Sequence, residues 1–269
     1  MLYDSFNFNV SPIEVDICII GGGAAGIAIA LEFEKSDFKV ALIESGGLNL
    51  TRKNQKLNNM KNVGIDYENL GIQRGRYLGG STNMWGGNCI PLDPIDFKEC
   101  SGRRGTSWPF DEYEIGSYIK RAQKFLNIDT IDFGDDLISK INLSNNKDDE
   151  FNWKAWQFCD FPFRFGEKYR EHLKNSVNIA CYLNTNFTGF NVVKGDNFAK
   201  EAIIKSLDAK EGSIRASNFI LACGGIENAR LLLNIEEKKS FDSFNNSKKV
   251  GSFFAEHPNA TIGYIRGKD

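Results

Sequence analysis

Val15-Asp16-Ile17-Cys18-Ile19-Ile20-Gly21-Gly22-Gly23-Ala24-Ala25-Gly26 is the stretch on which the reading of this chain turns. An apolar run of β character ends in glycines, and the glycines open an Ala-rich segment that predicts a helix from Ala24 to about Phe33. A second apolar run, Val40-Ala41-Leu42-Ile43, then delivers Glu44 at its carboxyl end. This order is that of a dinucleotide site. Gly21 permits a tight turn after the strand, Gly23 lets a pyrophosphate approach the backbone, and Gly26 lets the helix pack close to the sheet. The first helical turn, including Ala25, offers unpaired N–H groups and a positive dipole end to phosphate. Glu44 lies 18 residues past Gly26, near the spacing of roughly 20 at which an acid meets a ribose hydroxyl. The motif alone does not separate NAD from FAD.

Outward from that unit, the whole chain has 269 residues, enough for one large domain or two small ones. It is 41% hydrophobic and 25% charged, and 33 basic against 35 acidic residues leave a formal charge of −2. That balance supplies no positive surplus for nucleic acid or an anionic membrane. Met1 to Ser11 lacks a basic start and apolar core, and the apolar run Ile17 to Leu31 is too short to span a bilayer. Six scattered cysteines form no C-x-x-C, so no metal site is expected. Cys18 and Cys223 sit in apparent core strands. A reduced, cytoplasmic chain is the expectation from this usage.

Residues 1–11 read as a short leader and 12–47 as the dinucleotide unit, followed by a long polar connection over 48–70. Gly75-Arg76-Tyr77-Leu78-Gly79-Gly80-Ser81-Thr82-Asn83-Met84-Trp85-Gly86-Gly87 comes next. Its glycines allow close backbone approach to a bound group, Arg76 suits a phosphate, and Trp85 offers a flat apolar surface. A helix is predicted from about Asp111 to Asn127, with Ile115, Tyr118, Ile119, Ala122, Phe125 and Leu126 on a core-facing stripe. Residues 128–150 are acidic and read as a surface excursion. Aromatic residues from Phe151 to Phe165 suit packing or a pocket wall, and a short helix over 167–174 carries an exposed His172. Five strands are expected over 179–183, 187–193, 202–207, 213–216 and 219–222. The last of these ends in Ala222-Cys223-Gly224-Gly225 and leads into a helix, Ile226 to Leu233. A second strand-to-helix turn can therefore reach the same ligand.

Taken together, the opening fingerprint with Glu44, the loop Gly75–Met84, the segment Phe163–Arg170, the run Ala222–Leu232 and Glu256-His257-Pro258 resemble the short bacterial branch of the glucose–methanol–choline flavoprotein oxidoreductases. The resemblance covers nearly the whole chain. It implies an α/β fold: a Rossmann-like FAD-binding domain over 12–258 with a mixed β-sheet and an inserted helical or irregular segment at about 97–165. Residues 259–269 would begin a truncated substrate-binding domain.

The implied cofactor is FAD, held by Gly21, Gly23, Ala25, Gly26, Glu44, Arg76, Gly80, Ser81, Trp85, Gly86, Phe187, Ala222 and Gly224. Members with covalent flavin carry His where this chain has Met84, so the FAD is expected to be non-covalent. Many members carry Asn where this chain has Trp85, and Phe187 stands where Val often contacts the adenine. The implied chemistry is oxidation of a CH–OH group in an alcohol, sugar or sugar acid, with hydride passing to the flavin and an unspecified acceptor reoxidising it.

The family's catalytic His belongs to a C-terminal part that has no counterpart here. His172 and His257 lie outside that motif, so no catalytic residue is assigned. An incomplete N-terminal portion is expected, one that alone binds FAD weakly or not at all and turns over no alcohol. The competing reading is a non-catalytic remnant that keeps the dinucleotide-binding fold. An NAD-linked enzyme is a third, and it leaves the Arg76–Gly87 loop without a role.

Overall fold

The structure, a computed structural model, describes residues 1–64, 71–99, 107–141, 154–160, 163–192, 198–237, 248–255, 261 and 263. Strand β1 is Leu2–Tyr3, β2 is Ile13–Ile20, helix α1 is Ala24–Glu32 and β3 is Val40–Ile43. A short helix α2, Arg52–Gln55, follows. Next come β4 (Asn88–Cys89), α3 (Glu112–Leu126), α4 (Asp135–Lys140), β5 (Gln157–Phe158), α5 (Phe165–Lys168) and α6 (Arg170–Asn175). The chain then adds β6 (Ile179–Tyr182), β7 (Asn186–Asn191), β8 (Glu201–Lys205), β9 (Glu211–Leu221) and α7 (Gly225–Glu237).

Seven strands form one sheet in the order β1-β6-β3-β2-β9-β8-β7. The first five run parallel, whereas β9, β8 and β7 pair antiparallel, so the sheet is mixed as expected. The central strands are apolar on both faces because both faces are covered. All four residues of β3 and the last four of β2 are buried. Ile19, Leu42, Leu173, Ile179 and Leu183 fill one side of the sheet, and Ile20, Ile43, Ile204, Ile214 and Leu231 the other. Each such side chain withdrawn from water stabilises the fold by about 1.5–3 kcal/mol.

Helix α1 buries Gly26, Ile27 and Ala30 against the sheet, and small residues on that face let it sit close. It carries β2 over to β3, with Ile17 opposite Val40 and Ile20 opposite Ile43. Strand β9 flanks β2 on the other side, with Ile20 opposite Leu221. The turns after β2 and after β9 therefore leave the same edge of the sheet side by side.

Four expectations are changed. Residues 1–11 are built into the fold rather than leading into it: β1 adds an edge strand to β6, and Phe6 is buried. The Met1 ammonium donates to the carbonyls of Leu173 (2.8 Å), Ser176 (3.0 Å) and Ile179. The strands expected at 213–216 and 219–222 are one 11-residue strand, because β9 reaches both β8 at its start and β2 along its length. The surface excursion after residue 128 contains α4, which buries Leu137 and Ile138. Helix α3 has the predicted bounds and a reciprocal Asp111/Glu114 capping box, but it lies at the edge of the molecule. Tyr118 and Ala122 are exposed, Ile115 and Ile119 are half-buried, and among the described residues only the last turn, Phe125 and Leu126, packs onto the core cluster. The 151–153 and 161–162 positions of the aromatic segment, His257 and most of 256–269 lie outside the described residues. Among the described residues no helix is long and apolar enough to cross a membrane, and no three metal-ligating side chains cluster.

Candidate functional site

Two glycine-bearing turns sit over the carboxyl ends of β2 and β9, the edge of an open α/β sheet at which ligands bind. They are locked to the sheet and to each other by backbone hydrogen bonds. Gly21 N–H donates to Ile43 O (2.8 Å) and Ala222 N–H to Ile20 O (2.7 Å). Over them opens a cavity of about 1030 Å³, of the size that takes a large organic ligand. Its walls include Gly21 and Gly23 from the first turn, Ala222 to Gly225 from the second, Glu44 from the end of β3, and Gly80 and Ser81 from the glycine-rich loop. Phe187 and Thr188 on β7 and Lys205 on β8 close the far side.

The glycines divide by what surrounds them. A methyl group on Gly26 would fall 1.8 Å from the Gly21 carbonyl oxygen, and one on Gly21 would fall 2.6 Å from the Ala222 oxygen. Gly21 also adopts φ +111°, in the left-handed half of the backbone map. These two glycines hold the turns together. Gly23 is different: a methyl there would meet only Gly80 Cα, at 4.0 Å, and at Gly224 and Gly225 it would meet nothing within that distance. Protein packing does not demand glycine at these three places, and the backbone there faces open space. Gly23 is also the N-cap of α1 and makes no side-chain cap, which leaves the first N–H groups of the helix for a ligand. The cradle thus fits a phosphate-bearing ligand.

Two buried carboxylates face this cavity in opposite electrostatic settings. Glu44 lies on the dry end of β3. Its Oε2 accepts from Gly22 N–H (2.9 Å) and its Oε1 from Gly46 N–H (2.7 Å). Burial pushes its carboxyl above the usual range, against the pull of those two N–H groups and of the Arg76 charge. Glu227, on the first turn of α7, is instead encircled by guanidinium groups. Arg74 lies 3.0 Å away, Arg76 3.3 Å and Arg230 2.8 Å. Burial alone would raise its carboxyl, but the hydrogen bonds from Arg230 and Arg74 and the nearby positive charges outweigh it and hold it below the usual range. Arg76 is fixed further by Asn58 Oδ1 (2.7 Å) and Ser45 Oγ (3.0 Å). Glu227 thereby ties the loop before Gly80 to the helix after Gly225.

Of the residues expected from the sequence, Gly21, Gly23, Ala25, Glu44, Arg76, Gly80, Ser81, Phe187, Ala222 and Gly224 all line the cavity. Gly26 lies behind it, in the helix–strand contact. Trp85 and Gly86 are not among its lining residues: the Trp85 indole N–H donates to Phe163 O (2.8 Å) and its ring packs edge-on against Phe165. His172 does not line it either. It stands exposed on α6 with Nδ1 3.3 Å from Glu34 Oε1. Sequence reasoning passed over Glu227, Arg74 and Arg230. The signal was present, since Glu227 and Arg230 stand three apart on a helix, a spacing at which opposite charges meet. Their meeting with Arg74 and Arg76, some 150 residues earlier, was not visible.

No family model matches the sequence, and no curated protein sequence matches it. Solved structures do match. A pyridoxine 4-oxidase from Mesorbium loti superposes with a TM-score of 0.50 at 17% identity, over 82% of this chain and 51% of that one. A formate oxidase superposes with a TM-score of 0.48 at 16% identity, over 83% of this chain and 48% of that one. The chain therefore spans about half the length of the pyridoxine oxidase. That likeness concerns architecture, and with the seven-stranded mixed sheet and the two turns above it the fold is a Rossmann-like α/β one of the kind that forms flavoprotein FAD-binding domains.

Proposed function

We propose that this chain holds FAD non-covalently and forms the cofactor-binding part of an oxidoreductase that acts on the CH–OH group of an alcohol, sugar or sugar acid. The observation that carries the reading is one cavity opened by both glycine turns, with Glu44 and the Gly80–Ser81 loop on its walls. The name of the matching pyridoxine 4-oxidase, and the motifs that resemble glucose–methanol–choline enzymes, support the same class. Gly23, Gly224 and Gly225 expose backbone to the diphosphate. The first turn of α1 supplies N–H donors to it, and Arg76, its guanidinium held by Glu227, Asn58 and Ser45, adds positive charge to the wall. Glu44 would take the ribose and Phe187 the adenine, both from the cavity wall. FAD when bound supplies the hydride acceptor. Gly80 and Ser81 shape the wall.

The alternative is a dinucleotide-binding module without catalysis; His172, outside the cavity and engaged with Glu34, takes part in neither reading. One titration addresses both. FAD added to the purified chain should give a saturable change in flavin absorbance, and acid precipitation should release all the flavin to the supernatant. Unchanged free-flavin spectra at every ratio would remove the proposal. Bleaching of bound flavin by an alcohol or sugar under anaerobic conditions would establish catalysis by this chain alone and exclude the module.

A further inference from the structure

The short ribbon β4–β5 brings together two cysteines that the cofactor site does not use. Cys89 ends β4, and Cys159 follows β5 directly, its N–H donating to Gly87 O (2.9 Å). Their Sγ atoms are 3.6 Å apart, in contact and unbonded. Both side chains are buried in the core cluster that holds Phe163 and Phe165. Gly87 adopts φ +76°, a backbone conformation that favours glycine and shapes the turn into β4, and it lies in ordinary contact with Cys159. The two strands already hold their backbones in antiparallel register, with Asn88 opposite Phe158 and Cys89 opposite Gln157. Cys159 stands two residues beyond Gln157, so the two thiols meet diagonally across the ribbon, and closure must bring their Sγ atoms from 3.6 Å to a bonding distance of about 2 Å by side-chain rotation together with a shift of the short ribbon.

We infer that Cys89 and Cys159 are a modification site: a thiol pair that closes to a disulfide on exposure to a low-molecular-weight disulfide or a peroxide. With a disulfide oxidant, two thiols lose two protons and two electrons, one S–S bond forms, and the oxidant leaves as two thiols. With hydrogen peroxide the same electrons end in two water molecules. The bond would join residues 70 apart. The strand it holds is the exit of the glycine-rich loop whose start, Gly80 and Ser81, lines the cavity. Trp85 N–H on Phe163 O and Arg164 on the carbonyls of Thr82 and Trp85 already join the same two segments. A covalent link there reinforces an existing seam and leaves the cavity walls in place. Burial pushes both thiols up, Cys159 to about 12, which makes closure slow, because the thiolate is the attacking form.

The test uses the full chain, incubated natively with oxidised glutathione or hydrogen peroxide, quenched with alkylating agent and digested. The expected result is a peptide joining Cys89 to Cys159, with free thiols falling from six to four in denaturant. The melting temperature should rise by about 5 °C, reversed by dithiothreitol and absent in Cys89→Ser and in Cys159→Ser. Six titratable thiols after prolonged oxidation, or a link between other cysteines instead, would overturn the inference. The mass map is read on the unsubstituted chain, so a poorly folding variant does not affect it.

Discussion

The two turns over the cavity are built in opposite ways. In the first, between β2 and α1, glycine is required by the protein itself: Gly26 presses on the Gly21 carbonyl, and Gly21 presses on Ala222. In the second, between β9 and α7, Gly224 and Gly225 touch nothing that a methyl group would displace. Only Gly23 of the first turn behaves like the second. Gly21 and Gly26 thus serve packing and Gly23 and Gly225 access, while Gly224, at φ +82°, is also required by its own backbone conformation. Substitution should separate the two roles, because one costs stability and the other costs ligand affinity.

The largest expected effect is from Gly26→Ala. The added carbon has no room beside the Gly21 oxygen, so α1 must move off the sheet. The loss should exceed about 3 kcal/mol in urea unfolding, with any FAD binding lost at the same time. A variant of ordinary stability would show that the close helix–strand contact is not needed.

Next comes the ion cluster that joins the two turns. The Glu227 carboxyl is held low in the folded chain, so it contributes stability above its unfolded pKa of about 4.5, and that contribution is lost as pH falls through the folded value. Glu227→Gln should cost about 3 kcal/mol at pH 7, and the gap to the unsubstituted chain should narrow steadily below pH 4.5. Glu44 works in the other direction. Its carboxyl is raised, so its ionisation draws on stability as pH rises from about 4.5 through the folded value. A pH-independent gap for Glu227→Gln would contradict the arginine cluster.

The smallest effects on stability, and the sharpest contrast with Gly26, should come from Gly23→Ala and Gly225→Ala. Both face open space, so urea unfolding should change by no more than about 1 kcal/mol, with Gly225→Ala on the stabilising side because alanine favours the helix it begins. FAD affinity should nevertheless fall about tenfold in each, since a methyl group would stand where phosphate approaches, and tenfold is about 1.4 kcal/mol. Unaltered affinity in both, measured by flavin fluorescence, would move the ligand away from these turns.

Much of this was legible in the sequence because it is local. Strand, glycine turn, helix and terminal acid follow one another within 30 residues, from Val15 to Glu44, and the run ending at Gly225 repeats the pattern. What escaped depends on partners distant in the chain. β1 looks like a leader until β6 offers it an edge, and β9 looks like two strands because Ser217 and Asn218 interrupt it, although Ala216 and Asn218 both pair with β2. Helix α3 shows that a periodic stripe states what a helix can bury, not what is there to cover it. Trp85 sits in a stretch that suggested a ligand platform, yet its indole is spoken for by Phe163, a contact no spacing rule reports.

Amide hydrogen exchange on the chain with and without FAD tests the central claim most directly, because it reads both turns in one experiment. Simultaneous slowing at residues 22–26 and 223–228, with β4 and β5 unchanged, is the result expected of one nucleotide held between them. Protection confined to one turn, or to neither at saturating FAD, would contradict it.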